Sequence, residues 1–276
     1  MAPAFAITDN LDWEVEQLPL FFTDAKGNPV RFENRVAIVR SDNQYPLGVV
    51  SEDYETVQNK DLLALIRPMV DEGVLTVENM GYLGHGAKVF AQAKVNQEFR
   101  VIGESYNTFI TLLNGHVGNT SVAIGPSAVR VICGNTFSMA YANIGERFRH
   151  SVGVNERILE TTAVIDFVNR SMQKYTESVE KIASSTCTSS QFRRFLEATY
   201  GKELEKMRNV EKLNELFYGG AGNAGRTYYD AFNSVTDFSS NRSRKTVAGR
   251  FNYSNFGQGS RINQRAMEVA LEMAAV

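Results

Sequence analysis

The residues best suited to do chemistry lie towards the C-terminus. From Ser239 to Arg265 the chain carries Arg242, Arg244, Lys245, Arg250, Arg261 and Arg265, and neither Asp nor Glu. Phe251, Tyr253 and Phe256 are interleaved with these cations, beside Asn241, Asn252, Asn255 and Gln258. Guanidinium and ammonium groups neutralise phosphates, and aromatic rings offer faces on which bases stack. The mixture is the pattern of sequence-tolerant binding to single-stranded nucleic acid. Gly249, Gly257 and Gly259 would let such a loop follow a strand. Two plainer readings stand beside it. One is a solvated basic loop whose aromatics tuck into the core; the other is a surface for an acidic protein partner.

Other constellations are weaker. Gly219-Gly-Ala-Gly-Asn-Ala-Gly225 invites a phosphate-loop reading. Such a site needs strand, loop and helix in that order, so that backbone N–H groups and the helix dipole meet the phosphate. Here both flanks read as helices and no Lys-Ser or Lys-Thr follows, so a helix end and hinge fits better. The three histidines, His85, His116 and His150, have no second His or Cys at ligand spacing. No Gly-x-Ser-x-Gly elbow marks an activated serine. Glu78 and Glu104 flank candidate strands singly and do not form an acid–base pair by spacing. No catalytic residue, metal or cofactor is assigned, and a binding module is favoured over an enzyme.

Composition sets the frame for these groups. The chain has 276 residues, 43% of them apolar and 22% charged. A chain of this length buries a core without disulfides. Cys133 and Cys187 form no paired motif, which fits a reducing compartment and two buried thiols. The formal charge is −2, so positive charge must be local if nucleic acid is a partner. Met1 to Asn10 lacks the pattern of a signal peptide, and no apolar run is long enough to span a membrane. Cytoplasmic residence is the expectation.

The elements that must position the candidate residues fall into two regions, 1–153 and 154–276. In the first, Val36–Arg40 and Leu47–Val50 read as a hairpin. Asn59–Asp71 reads as a helix with Asn59 as N-cap and Gly73 as its stop. Val74–Tyr82 and Ala87–Val95 alternate around a Gly84-His85-Gly86 turn. Thr108–Leu113, Thr120–Ile124 and Val129–Cys133 read as three further strands, the last two separated by Gly125-Pro126-Ser127. The expected class is α+β, with a largely antiparallel sheet and one inserted helix, followed by a helical region. There Ile158, Thr161, Ile165, Val168, Met172, Tyr175, Val179 and Ile182 recur at spacings of three and four. That seam either lies on the chain's own sheet or joins copies into a homo-oligomer through residues 158–182. Ser189 and Ser190 read as caps for a helix over 191–200. Helices follow at 210–218, 227–237 and 262–275.

Four segments resemble the phage/plasmid-like family built on the domain of unknown function 932. They are Leu11-Asp-Trp-Glu-Val15; Leu47-Gly-Val-Val-Ser-Glu-Asp-Tyr-Glu-Thr-Val-Gln-Asn59; Leu112-Leu-Asn-Gly-His116 with Val129-Arg-Val-Ile-Cys-Gly-Asn-Thr136; and Tyr228-Tyr-Asp-Ala-Phe-Asn-Ser-Val-Thr236 with the basic stretch and last helix. The resemblance implies a mobile-element origin and a bacterial cytoplasm, and it brings no activity with it. Within these motifs Asn114, His116, Arg130 and Asn135 fall at strand ends or turns. They either line one edge of the sheet as a polar cluster or hydrogen-bond the chain's own turns.

The leading expectation is a DNA-binding protein of phage or plasmid DNA metabolism or recombination. It would bind or anneal single strands, with the basic stretches of an oligomer tracking the backbone. The alternative is an interaction protein that inhibits a host factor. A third is an enzyme on nucleotides or nucleic acid that uses Glu78, Glu104, His85 or His116.

Overall fold

A computed structural model describes residues 9–97, 99–130, 136–138, 146–151, 153–154 and 164–275. The class is α+β, as expected: antiparallel sheets come first and helices follow.

Strands β1 (Val15–Thr23), β2 (Pro29–Arg40) and β3 (Pro46–Ser51) form a three-stranded antiparallel sheet in that order. The expected β2–β3 hairpin is present, with Val36 opposite Val50. Helices α1 (Asn59–Ala64) and α2 (Arg67–Asp71) replace the single helix expected over 59–71. Pro68 has no N–H to donate to the Ala64 carbonyl, as one continuous helix would need, but is tolerated in the first turn of a new one, so the chain breaks into two short helices before it. Asn59 is the first helical residue rather than the cap, which is Gln58. Gly73 ends the segment with φ of 73°, the left-handed conformation that glycine adopts without penalty.

The larger sheet contains β4 (Leu75–Leu83), β5 (Lys88–Val95), β6 (Phe99–Val101), β7 (Glu104–Gly115), β8 (Val122–Arg130), β9 (Thr136–Ser138) and β10 (Glu146–Phe148). Its order is β10-β8-β7-β5-β4, with β6 against β7 and β9 against β8. The break expected at 125–127 is absent, because β8 runs through Pro126, which lies opposite Ile110. On its other side β8 pairs with β10 at 122–124 and with β9 at 127–129. Pro126 therefore falls between those two pairings, where a missing N–H costs the ladder little.

The helical region has α3 (Val164–Ala183), α4 (Ser189–Tyr200), α5 (Val210–Gly219), α6 (Tyr228–Asp237), α7 (Val247–Asn255) and α8 (Gln258–Met273), with a π-helical turn over Phe238–Arg242. Thr188, not Ser189 or Ser190, caps α4, in a capping box with Gln191. Val168, Met172, Tyr175, Val179 and Ile182 of the seam are buried in the same apolar cluster as strands of the larger sheet. These side chains are thus spent within one chain. Ile158 and Thr161 lie outside the described residues. The cluster also crosses the expected boundary at 153, joining Ala91, Leu112 and Ile124 to Phe192, Phe232 and Val269.

Alternation on the strands divides the larger sheet into two faces. Ala91, Leu112 and Ile124 are mutually opposed and face that main core, whereas their neighbours Phe90, Leu113 and Ala123 cluster with Phe251. The second face is what positions the basic stretch.

Candidate nucleic-acid interface

The basic stretch is not a loop. Residues 238–242 continue α6 as a π-turn, α7 and α8 follow, and only short links separate them. Thr246 caps α7 by accepting from the Gly249 N–H. Burial of one side against the sheet supplies what the Gly- and Asn-rich sequence lacks in helix propensity. Phe251 is 3% exposed, and its ring packs 5.0 Å from Phe90 and 5.7 Å from Phe256. Asn255 is buried as well and accepts from Gln92 Nε2 at 3.3 Å. Gln92 belongs to a polar ladder across the same face. It receives Asn79 Nδ2, donates to Thr111, and Thr111 in turn meets Ser127. Such a buried ladder fixes α7 by direction as well as by area. Sequence reasoning missed it, because its members sit on four different strands and one helix.

The aromatics of the stretch are thus largely committed. Phe251 and Phe256 belong to the sheet-facing cluster. Tyr253 lies under the Arg244 guanidinium, 4.2 Å from ring centroid to Cζ, and a Cβ on Gly259 would stand 2.5 Å from the same ring. Burial raises its phenol pKa. Of the two uses the sequence allowed, packing has taken Phe251.

The cations divide into two groups. Arg265 is tied to Glu268 at 3.3 Å and Glu272 at 3.6 Å. Arg250 is half-buried and donates to the carbonyls of Arg244 and Lys245, which ties the 244–246 link to α7. Arg242 is exposed and only 3.9 Å from Asp237. Arg244, Lys245 and Arg261 are exposed, and no carboxylate pairs with them among the described residues. Arg261 opens onto a cleft of about 390 Å³ between the start of α8, the start of β5 and the β7–β8 turn.

The expected polar cluster resolves differently. Asn114 and His116 are fully buried at the end of the central strand β7, away from any sheet edge. Asn114 donates to the carbonyl of Val57 at 2.7 Å, and His116 Nε2 lies 3.0 Å from Asn59 Oδ1. The carbonyl of Gly115 between them accepts from the Tyr54 hydroxyl. The Asn-Gly-His motif therefore holds the 54–59 segment against β7, satisfying the chain's own turns. Burial, with the neighbouring His150, pushes the His116 pKa down to about 3, so the ring is neutral. The side chain of Arg130 and all of Asn135 lie outside the described residues.

Remaining candidates stay apart. His85 occupies a left-handed turn and packs its ring, tilted, 4.7 Å from that of Tyr45, while Glu104 accepts from the Tyr229 hydroxyl. The described residues contain no cluster of three His, Cys, Asp or Glu that could hold a metal. Cys187 is buried and its thiol is pushed up to about 12 by burial, as expected for a packing thiol; Cys133 lies outside the described residues. The glycine-rich segment joins α5 to α6. Asp230 accepts from the backbone N–H groups of Ala224, Arg226 and Thr227, which ties that segment to the start of α6. No helix among the described residues is long and apolar enough to cross a membrane.

The model of the domain of unknown function DUF932 matches residues 46–271. The chain belongs to the DUF932 family. Three of the four motif segments lie inside that match, and Leu11–Val15 lies before it. This outlying segment is nonetheless held by DUF932 residues: Asn59 Nδ2 donates to the carbonyls of Leu11 and Trp13. No curated protein and no solved structure matches the chain.

Proposed function

We propose that this protein binds nucleic acid through the phosphate backbone, on the surface formed by the 242–246 link and the start of α8. One observation carries the reading: Arg244, Lys245 and Arg261 are exposed and, among the described residues, unpaired by carboxylates, in a stretch without Asp or Glu. Exposed cations on a chain of formal charge −2 make a local positive field, which is what phosphate contact needs. The burial of Phe251 favours backbone contact over stacking on bases. We accordingly infer sequence-tolerant binding in phage or plasmid DNA metabolism, in a bacterial cytoplasm. The test is a titration of labelled single-stranded and duplex oligonucleotides at several salt concentrations. Affinity should fall linearly in log–log form as salt rises; absence of binding to either form at low salt refutes the reading.

A second reading, binding to a protein, is favoured by a different surface. β3 pairs only with Arg35–Val39 of β2, so the outer part of the β1–β2 hairpin is two-stranded, and Phe21, Phe22 and Phe32 there are 57%, 50% and 46% exposed. An isolated two-stranded ribbon is marginal in water, so apolar residues on both strands favour a partner, including a second copy of the chain. Light scattering of the wild type and of a Phe21→Ser/Phe32→Ser variant tests it. A monomer in both, with no partner retained after nuclease treatment, would count against it.

A further inference from the structure

The cleft beside Arg261 has the features of a built anion site. α8 begins at Gln258, and its N-cap, Gly257, offers no side-chain cap. The first N–H groups of a helix have no partners within the helix, and its dipole places partial positive charge there. The first turn of α8 contains no acidic residue, and no carboxylate lines the cleft among the described residues. Lys88 and Arg261 line it from opposite elements, and neither makes an ion pair among the described residues.

A separate observation points to a ligand. Ser260 lines the cleft and is 2% exposed, yet among the described residues its hydroxyl has no hydrogen-bond partner. One helical turn on, the buried Nε2 of Gln264 also lacks one. Buried polar groups are rarely left unpaired, because each costs free energy comparable to a lost hydrogen bond. Here two of them line one cleft with two cations and an uncapped helix start. Serine and glutamine side chains turn about single bonds, so both can donate to an oxygen-rich anion seated on the first turn of α8.

We propose that this cleft binds a phosphate group, held by the α8 N-terminus, Ser260, Gln264, Lys88 and Arg261. The group is either a backbone phosphate of a nucleic-acid strand or the phosphate of a free nucleotide; a volume of about 390 Å³ accommodates more than the anion alone. The proposal deepens the backbone-binding reading and rests on it only where the source is a strand.

The experiment uses the full chain and inorganic phosphate, with chloride at matched ionic strength as control. Phosphate should raise the thermal midpoint by about 2–4 °C at saturating concentration. The rise should vanish in Ser260→Ala/Gln264→Leu, which keeps every charge, and shrink in the surface variant Arg261→Gln. Equal rises in wild type and both variants, or none in wild type, overturn the site. Thymidine 5′-monophosphate and an oligothymidylate then distinguish the sources, since the true source should displace phosphate. If the charge-neutral double variant binds oligonucleotide as wild type while Lys245→Ala weakens it, and thymidine 5′-monophosphate does not displace phosphate, the cleft proposal fails and the basic-surface reading stands.

Discussion

The Nε2 of His116 lies 3.0 Å from Oδ1 of Asn59, and both residues are buried. Asn59 Nδ2 donates to the carbonyls of Leu11 and Trp13, so its Oδ1 is the acceptor and His116 carries its proton on Nε2. The Trp13 ring packs edge-on against the imidazole at 5.7 Å. One amide thus joins the N-terminal segment, α1 and the central strand.

A pH dependence follows from the neutral ring. In the unfolded chain a histidine titrates near 6.5, whereas His116 is held down at about 3 and His150 is also lowered by burial. Between those values the unfolded state takes up protons that the folded state refuses. Stability is therefore complete above pH 6.5 and falls as pH drops below it, by up to about 1.4 kcal/mol per pH unit for His116. Urea midpoints measured from neutral to mildly acid pH check this. A wild-type midpoint independent of pH, or an unchanged slope in His116→Gln, would contradict it.

Asn59→Ala should destabilise through the same contact. It orphans the His116 N–H and removes the donor to Trp13, at a cost of about 1–3 kcal/mol for each buried group left unpaired. Chemical denaturation reads the loss. Loss of near-ultraviolet ellipticity from Trp13, the sole tryptophan, should accompany it if the segment detaches.

Gly115 between Asn114 and His116 leaves no room for a side chain. A Cβ there would overlap the Cβ of Thr120 and stand 2.8 Å from the Thr120 carbonyl. Gly115→Ala should cost about 1–3 kcal/mol by overpacking, measured by thermal unfolding. A neutral effect would mean that the β7–β8 turn yields.

These buried contacts explain what the sequence could and could not disclose. Hairpin turns, the order of sheets before helices and the seam over 168–182 are local periodicities, and they appear where Val36–Val50, the 84–86 turn and Val168–Ile182 predict them. The α7 helix was not legible, because Gly249, Asn252, Ser254 and Asn255 are weak helix formers. Its stability comes from Phe251 against Phe90 and from Asn255 against Gln92, residues more than 160 positions apart. Thr246 three residues before Gly249 was the one local sign of its start. The cleft was legible only in part: Arg261 stood out by charge, while Lys88 comes from a distant strand and Ser260 looks like any polar residue.

The split between packed aromatics and exposed cations makes the last prediction. If binding is to phosphates, Lys245→Ala with Arg261→Ala should leave thermal stability within about 0.5 kcal/mol, as for ordinary surface changes. The same variant should lower the log–log salt slope by about 1.4–1.8, one step for each lost phosphate contact. Phe251→Ala should behave oppositely. Its ring is 3% exposed, so truncation should cost about 3–5 kcal/mol of stability and leave the salt slope of the folded fraction unchanged. Parallel titrations with oligothymidylate and oligoadenylate add the control, since backbone contact predicts similar affinity for both. A strong base preference, lost in Phe251→Ala but kept in the cation variant, would restore base stacking as the mode of binding.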